Sequence, residues 1–286
     1  MTQERGQRFL LELPSVKNDL PYSPDLLSRL FTLTGEDGLS PIDAIAAAVT
    51  EDQGLSARLL AMANSAYYGL QAQVATVGRA VAVLGLREVR SLVLALGMRG
   101  LVDVRPLPEG FAFAPYLDHQ LAVAGAARAL ARTAAAMDPD DAFTAGLLHD
   151  LGKLLTALYR PEDWRAQAAL AATEDLPWHE AEERHWGLDH GLIGGMVLRS
   201  WNLPEALTEP VNWHHAPKAA PERPLPCALL GLADALAREA TATPQPGIAP
   251  DPGLAGDLGL SLAEARECVE TALAARDAAA LAAALA

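Results

Sequence analysis

The sequence predicts an all-α protein, and its composition and hydrophobic spacing both favour that fold class. Hydrophobic residues make up 51% of the 286 residues, and alanine and leucine dominate them. Both residue types have high helix propensity, whereas the β-branched residues that favour strands are sparse. Aromatic residues account for only 5% of the chain. A chain of this length allows one large helical domain or two medium ones.

The first 108 residues are predicted to form an N-terminal helical half. One helix carries leucines at helical spacing: Leu26, Leu27, Leu30 and Leu33. Serine–proline pairs, typical of a helix N-cap and first turn, precede this helix at residues 23–24 and the next one at 40–41. We expect Ser56 to cap a further helix that ends before Gly69, and Gly85 to separate the two short helices that follow.

A second helical half is predicted over residues 109–240, after a connector that contains proline and glycine, and it holds all seven histidines of the chain. Residues 241–286 are expected to form a linker and an amphipathic C-terminal helix. Ser261, followed three residues later by Glu264, has the pattern of a capping box at the start of that helix. Its alanine-rich face suits packing either on its own domain or on a partner chain.

Charge and cysteine content exclude several classes of protein. The net charge is −14, and the absence of a basic stripe argues against nucleic acid as a partner. The two cysteines, Cys227 and Cys268, form no CxxC pair, which excludes a cysteine metal site or a disulfide scaffold. The N-terminus has no secretory apolar region and no apolar run reaches membrane-spanning length, so we expect a cytoplasmic protein without membrane contact.

The segment GLLHDLGKLL, residues 146–155, places His149 and Asp150 side by side in an otherwise apolar run. An ionised carboxylate buried in such a segment costs several kcal/mol, on the order of the buried-charge penalty, unless a cation pairs with it. Asp234, in LLGLADALA, is a lone carboxylate in the same kind of setting. The sequence therefore calls for a cation near both carboxylates.

Five histidines lie in apolar helical segments or at helix ends, and two lie among charged residues. The five are His119, His149, His190, His214 and His215. A single buried histidine is more often a hydrogen-bonded core residue than a ligand, but five of them with two carboxylates favour a divalent metal site. Without thiolates, the ligands suit Fe, Mn, Zn or Ni. The other two, His179 and His185, are interpreted as surface residues.

The order His119, His149–Asp150, Asp234 resembles the motif of the HD superfamily of metal-dependent phosphohydrolases. Several segments are more specifically similar to the HDOD domain, among them LLAMANSAYYG, FTAGLLHDLGKLL and VNWHHAP, and the similarity extends over roughly residues 13–240. The resemblance implies a bacterial signal-transduction module, an HD-like bundle with an N-terminal helical subdomain and a C-terminal HD-like subdomain. It also implies signalling partners such as sensor kinase, receiver or cyclase domains.

The chain is also similar to the related HD-GYP phosphodiesterases, and this resemblance implies one or two bound metal ions. One ion would be held by His119, His149, Asp150 and Asp234, with Asp150 bridging to a second ion held by His190, His214 and His215. Lys153 would face a phosphate group. The chain departs from HD-GYP proteins in two ways. It lacks the Gly-Tyr-Pro loop after His215, and it has no Glu near His119 to support a third metal, since the adjacent Asp118 would be turned about 100° away on a helix.

Three functions stay open at this point. The chain could be a regulatory module that acts through protein contacts, with or without a bound metal. It could be a metal-dependent phosphohydrolase that acts on a cyclic dinucleotide or a nucleotide. A third alternative is a metal-bearing sensor of redox state or of a small anion. Lys153 is accordingly interpreted either as a phosphate contact, catalytic together with Asp150 if the protein is an enzyme, or as a surface lysine.

Overall fold

The computed structural model describes residues 2–19, 24–33, 42–64, 73–243 and 245–274, and all regular secondary structure in them is helical. No strand occurs in these segments; the one β-bridge joins Gln245 and Ile248. The all-α prediction is confirmed. None of the described helices combines the length and the apolarity that a membrane span requires.

The described residues form two compact units. The first unit takes its described residues from 1–14, 106–200 and 204–276, and the second takes its described residues from 15–105 and 201–203. The N-terminal helix α1 (Thr2–Glu12) belongs to the first unit, where it packs on a later helix of that unit through stacked Phe9 and Trp186 rings, 5.5 Å apart.

The second unit contains five α-helices within the described residues: α2 (Pro24–Leu33), α3 (Ile42–Thr50), α4 (Gln53–Ala63), α5 (Val77–Leu84) and α6 (Leu86–Val104). Gly85 separates α5 from α6 with φ +84, a conformation that suits glycine. The helix α6 has 19 residues, so the prediction that both helices here are short is wrong for α6. Of the first serine–proline pair, only Pro24 is among the described residues, and α2 begins there. The second pair, at residues 40–41, and Gly69 lie outside the described residues.

The prediction that Ser56 caps α4 is wrong, because the helix begins one turn earlier. Asp52 accepts a hydrogen bond from the Leu55 amide at 2.9 Å and so performs the capping role. Ser56 lies inside the helix, and its hydroxyl donates to the carbonyl oxygen of Val49 at 3.1 Å. Asp52 and Ser56 both have side chains that can cap a helix, and their spacing in the sequence does not show which one lies at its start.

The first unit holds α1 and the ten helices that follow the connector. They are α7 (Phe113–Ala134), α8 (Pro139–Leu148), α9 (Leu151–Tyr159), α10 (Pro161–Glu174), α11 (Trp178–Trp186), α12 (His190–Ser200), α13 (Glu205–Trp213), α14 (Pro224–Ala240), α15 (Pro252–Asp257) and α16 (Leu262–Ala274). The long helix α7 packs against α8, α14 and α16, and α12 packs against α9 and α13. All seven predicted metal ligands lie in this unit.

The predicted capping box at the start of α16 is confirmed. The Glu264 amide donates to the Ser261 hydroxyl oxygen at 3.2 Å, and the Ser261 amide donates to the Glu264 carboxylate at 2.8 Å. The described part of α16 packs on α7 and α14 of its own unit. Residues 275–286, which the sequence assigns to the same helix, lie outside the described residues.

Two glycines allow the helices around the His149–Asp150 pair to approach closely. A Cβ atom on Gly152 would lie 2.1 Å from the carbonyl oxygen of His190, so α9 and the start of α12 are in backbone contact. A Cβ atom on Gly146 would lie 2.6 Å from Cα of Ala124, which brings α8 equally close to α7. These contacts carry side chains from distant segments into one place.

Candidate metal centre

His149 and Asp150 occupy the junction between α8 and α9, and both side chains are buried. The Nδ1 of His149 lies 2.8 Å from the carbonyl oxygen of Gly146. A carbonyl oxygen can only accept a hydrogen bond, so Nδ1 carries a proton, and a neutral ring in this tautomer has its lone pair on Nε2.

His214 and His190 are held in the same manner. The Nδ1 of His214 lies 2.8 Å from the carbonyl oxygen of Val211. The Nδ1 of His190 lies 2.6 Å from Oε2 of Glu182, which also accepts a hydrogen bond from the His190 amide at 2.8 Å. Metal-binding histidines usually hold one ring nitrogen on an oxygen in this way and use the other as the ligand.

The first donor group consists of His119, His149 and Asp150, whose potential ligand atoms all lie within 4.8 Å of one another. Asp234 adjoins it: its Oδ1 lies 3.0 Å from Nε2 of His119 and 3.7 Å from Nε2 of His149. Ligands that each stand about 2.0–2.2 Å from one ion are themselves roughly 3.0–3.6 Å apart. The 3.0 Å separation falls within this range, and the 3.7 Å separation lies just above it.

The second donor group consists of His190, His214 and His215, and its ligand atoms also lie within 4.8 Å of one another. The Nε2 atoms of His190 and His215 are 2.8 Å apart. Asp150 lies between the two groups, because its Oδ1 is 3.4 Å from Nε2 of His149 and 3.0 Å from Nε2 of His190. The structure thus brings all seven predicted residues together, and metal binding by them stays a prediction.

Buried polar atoms without a hydrogen-bond partner are concentrated here. They include Nδ1 of His119 and Nε2 of His149 and of His214. Each such atom costs about 1–3 kcal/mol when it stays unsatisfied. A divalent cation would satisfy several of them at once, and nitrogen and oxygen donors without thiolate fit Fe, Mn, Zn or Ni.

Two basic side chains also reach the carboxylates. The Nζ of Lys153 lies 2.8 Å from Oδ2 of Asp150, and Nε of Arg238 lies 2.9 Å from Oδ1 of Asp234. The chain therefore supplies by itself the cations that burial of these carboxylates requires, and a metal ion is not needed for that purpose. Lys153 is buried, which excludes its interpretation as a surface lysine. Arg238 escaped the sequence analysis, although it follows Asp234 at the i,i+4 spacing of a helical ion pair.

These charges decide the ionisation of the carboxylates. Burial by itself would raise the pKa of Asp150, but His149, Lys153 and His190 outweigh burial and hold the pKa well below its ordinary value. Burial likewise opposes ionisation of Asp234, and Arg238 with the neighbouring histidines holds its pKa well below the ordinary value. Both side chains are therefore carboxylates at neutral pH, the form that binds metal.

Burial keeps most of the histidines neutral. It lowers the pKa of His119 and holds the pKa values of His214 and His215 well below the ordinary value. His190 differs: burial opposes its protonation, but the Glu182 carboxylate, assisted by Asp150, raises its pKa to about 9. A metal ion that binds His190 must therefore displace a proton from its ring, so metal binding at this residue releases a proton.

Two residues of α11 adjoin the donor groups: Glu182, which the sequence analysis did not single out, and His179, which it interpreted as a surface residue. Glu182 is fully buried, and its Oε1 accepts a hydrogen bond from Nε1 of Trp178 at 2.8 Å, while its Oε2 holds His190. The His179 ring stacks on His215, with centroids 4.1 Å apart. The signal was the spacing of Trp178, Glu182 and Trp186, since four-residue steps place Glu182 on the same face as two tryptophans.

The surface interpretation is also wrong for His185. Its Nε2 lies 2.9 Å from Oδ1 of the buried Asp163, and its side chain is only 15% exposed. Arg5 of α1 contacts the same carboxylate oxygen. This histidine is a structural residue between α10, α11 and α1, away from both donor groups.

Two cavities adjoin the donor groups. The first, of about 290 Å³, is called the aromatic cavity; it is lined by His119, Asp150, Lys153 and Arg238 together with the aromatic side chains of Phe111, Tyr116, Trp164 and Trp178. The second, of about 500 Å³, is lined by His179, His214, His215 and Asp234, among others. Solutes can therefore approach the first donor group from one cavity and the second group from the other.

Comparisons with known proteins agree with this architecture. The family model of the HDOD domain matches residues 20–217. A crystal structure from Shewanella amazonensis SB2B, of a protein provisionally named a phosphohydrolase, is 26% identical with a TM-score of 0.72, covering 96% of this chain and 98% of that one. A structure from Marinobacter aquaeolei VT8, of a protein provisionally named a signal transduction protein, is 22% identical with a TM-score of 0.76, and the match covers 93% of this chain and 60% of that one. At that identity the likeness shows the fold alone.

A curated relative, an uncharacterized protein of Treponema pallidum (strain Nichols), is 27% identical over 210 residues. The match covers 72% of this chain and 39% of the relative, so the chain spans about two fifths of that protein's length. The family match extends over more than half of the sequence and includes six of the seven donor residues. The chain belongs to the HDOD domain family.

Proposed function

We propose that this chain is a bacterial signalling module that binds one or two divalent metal ions and acts through contacts with partner proteins. One observation carries the metal-binding part. His149, His190 and His214 each hold Nδ1 on an oxygen atom and offer Nε2 beside the first or the second donor group. Such preparation of three neighbouring imidazoles for the same role favours a shared ion over three independent core histidines.

One ion would be held by His119, His149, Asp150 and Asp234, and a second by His190, His214 and His215 with Asp150 shared. A bound ion would lower the pKa of a bound water toward neutrality and polarise a phosphate oxygen. The chain's own contribution is to fix the tautomers through Gly146, Val211 and Glu182 and to keep both carboxylates ionised.

The signalling part rests on membership of the HDOD family and on the arrangement of the donors. The donors come from α7, from the junction of α8 and α9, from α12, from the two residues after α13, and from α14, so a change in ligation would affect helices across the whole unit. The partners we propose are sensor kinase, receiver or cyclase domains. The greater length of the Treponema pallidum relative is compatible with such a module operating beside other segments.

A metal-dependent phosphohydrolase is the second candidate, and a specific observation favours it. The buried Lys153 lies 2.8 Å from Asp150 and borders a cavity that reaches the first donor group, where it could meet a phosphate oxygen. The Shewanella amazonensis relative bears a provisional name of the same class. The substrate would be a phosphodiester such as a cyclic dinucleotide, or a nucleotide.

Elemental analysis of the purified full chain tests the metal centre. We expect one or two equivalents of Fe, Mn, Zn or Ni in the wild type, a clear loss in His149→Gln and His190→Gln, and no loss in the control His185→Gln. Turnover of cyclic di-GMP or bis(p-nitrophenyl) phosphate that these two variants abolish would favour the hydrolase. Bound metal without turnover would favour the signalling module, and absence of metal after loading with manganese or iron would contradict both.

Transmission of a signal requires a further readout. Hydrogen exchange of the full chain with and without added manganese is expected to change at the donor segments and also in α16, which contacts α7 and α14 but supplies no donor. A change restricted to the donor segments would argue against transmission through helix packing.

A further inference from the structure

The aromatic cavity has a wall built from four rings. Phe111 lies 5.6 Å from Trp164 and 5.5 Å from Tyr116, and Trp164 lies 5.7 Å from Trp178, all measured between ring centroids. Aromatic residues make up only 5% of the chain, so four in one cavity is a marked concentration. The ring planes are tilted against one another by 46°, 59° and 38° respectively for Phe111–Tyr116, Phe111–Trp164 and Trp164–Trp178, so a flat aromatic ligand would stack on one ring and meet the others at an angle.

The cavity also has a charged side. Lys153 and Arg238 are both buried there, and the cavity continues to His119 and Asp150. In the chain alone these two cations are balanced by Asp150 and Asp234. A divalent ion on the same carboxylates would leave this side with an excess of positive charge, which would attract an anion such as a phosphate.

The volume limits the size of the ligand. At about 290 Å³ the cavity lies at the lower end of the range of small-molecule sites, about 300–1,000 Å³. One base with one sugar and a phosphate suits this space better than a cyclic dinucleotide, which has twice as many of each. We propose that the aromatic cavity binds a single mononucleotide, with the base against the four rings and the phosphate toward Lys153 and Arg238.

The phosphate end of this inference rests on the proposed metal centre, whereas the base end stands without it. One hydrogen-bonded path joins the two ends. Trp178 of the aromatic wall donates to Glu182, and Glu182 holds His190 of the second donor group. A base that contacts Trp178 therefore acts, through Glu182, on the orientation of His190, a proposed metal ligand.

Calorimetric titration of the full chain tests the inference with four probes: AMP, GMP, adenosine and inorganic phosphate. Each probe is titrated once with manganese and once with a chelator. We expect AMP or GMP to bind more tightly than either adenosine or phosphate. Manganese should strengthen binding of AMP about tenfold or more and leave adenosine unchanged, since only the phosphate gains a charged partner. Binding should also quench tryptophan fluorescence, because Trp164 and Trp178 line the cavity.

Three variants separate the two ends of the cavity. Phe111→Leu should weaken both AMP and adenosine about tenfold, the size expected for loss of one stacking ring. Lys153→Met should weaken AMP and spare adenosine. Phe113→Leu is the matched control, because this neighbouring ring contacts Tyr116 but does not line the cavity, and its affinities should equal the wild type.

Two results would overturn the inference. One is inorganic phosphate that binds as tightly as AMP, and the other is Phe111→Leu that binds both AMP and adenosine with unchanged affinity. Manganese binding without any nucleotide binding would overturn the inference and leave the proposed metal centre intact. Adenosine binding that depends on Phe111, in a protein that fails to bind manganese, would support the base end of the site and contradict the metal centre alone.

Discussion

The guanidinium of Arg238 lies one helical turn beyond Asp234 on α14, with 2.9 Å between its Nε and the carboxylate Oδ1. Both side chains are buried, so each compensates the charge of the other away from water. Lys153 likewise pairs with Asp150, three residues earlier, with 2.8 Å between its Nζ and Oδ2 of the carboxylate. The two carboxylates thus have internal cations as well as the geometry for a metal, and the fold does not depend on an ion to tolerate them.

Removal of metal by a chelator is accordingly expected to leave the wild type folded, whereas Arg238→Met should destabilise it. Loss of one partner of a buried ion pair costs about 3–5 kcal/mol, because the other charge stays buried and unpaired. Urea unfolding measures the difference. Manganese should restore part of the stability of this variant, since the ion would take over the charge of Asp234.

The control for Arg238→Met is Arg266→Met, which removes an ion pair with Glu239 that is about two-fifths exposed on each side. Exposed pairs contribute about 0–1 kcal/mol, so this variant should unfold close to the wild type. Equal losses in the two variants would contradict the role given to Arg238.

Replacement of Glu182 by Gln is expected to weaken metal binding about 10–100-fold, the usual effect of losing a group that orients a metal ligand. The Gln side chain has no charge with which to hold the His190 Nδ1 proton. Titration with manganese or zinc measures the effect. Glu183→Gln provides the control, because Glu183 is the exposed neighbour on the same helix and should bind metal like the wild type.

Gly152→Ala is expected to separate α9 from α12 and to disturb both donor groups. Its Cβ would lie 2.1 Å from the His190 carbonyl oxygen and 2.7 Å from Cα of His190, and backbone atoms cannot move aside as a flexible side chain can. Such overpacking costs about 1–3 kcal/mol or more, and metal affinity should fall with it.

The matched control is Gly256→Ala in α15, where a Cβ would meet nothing within 4 Å. That variant should be as stable as the wild type or slightly more stable, since alanine favours the helix. Thermal unfolding and metal titration compare the two variants. Equal stability and equal metal affinity of Gly152→Ala and Gly256→Ala would contradict the prediction.

The stability of the protein is expected to fall between about pH 6.5 and pH 4, in part through His179. Burial lowers the pKa of His179 to about 4, below its ordinary value of 6.5. The unfolded chain therefore binds a proton in this window that the folded chain excludes, and stability is lost as the pH falls.

His179→Phe tests this origin, because phenylalanine retains a ring against His215 and removes the titration. Its unfolding free energy should depend less on pH than that of the wild type, by less than about 1.4 kcal/mol per pH unit, the limit for one proton. Urea unfolding at several values between pH 4 and 7 gives both slopes. Identical slopes would show that His179 does not contribute.

Most of the helices and the whole set of proposed ligands could be predicted from the sequence. Helix propensity and leucine spacing are local properties, and so are the capping pair Ser261 and Glu264. Carboxylates in apolar runs are visible as soon as the chain is read, because burial of an unpaired charge is costly wherever it occurs. Asp150 and Asp234 therefore indicated a common site before any contact was known.

The tertiary structure decided which cations and which supporting side chains complete that site. Glu182 and His179 lie in a polar run, and contacts with distant segments remove them from solvent: Glu182 binds His190, and the His179 ring stacks on His215. The aromatic cavity likewise joins Phe111, Trp164 and Trp178 from three separate segments. The hydrophobic periodicity of a sequence predicts which face of a helix is apolar. Which other helix packs on that face depends on contacts between residues far apart in the chain.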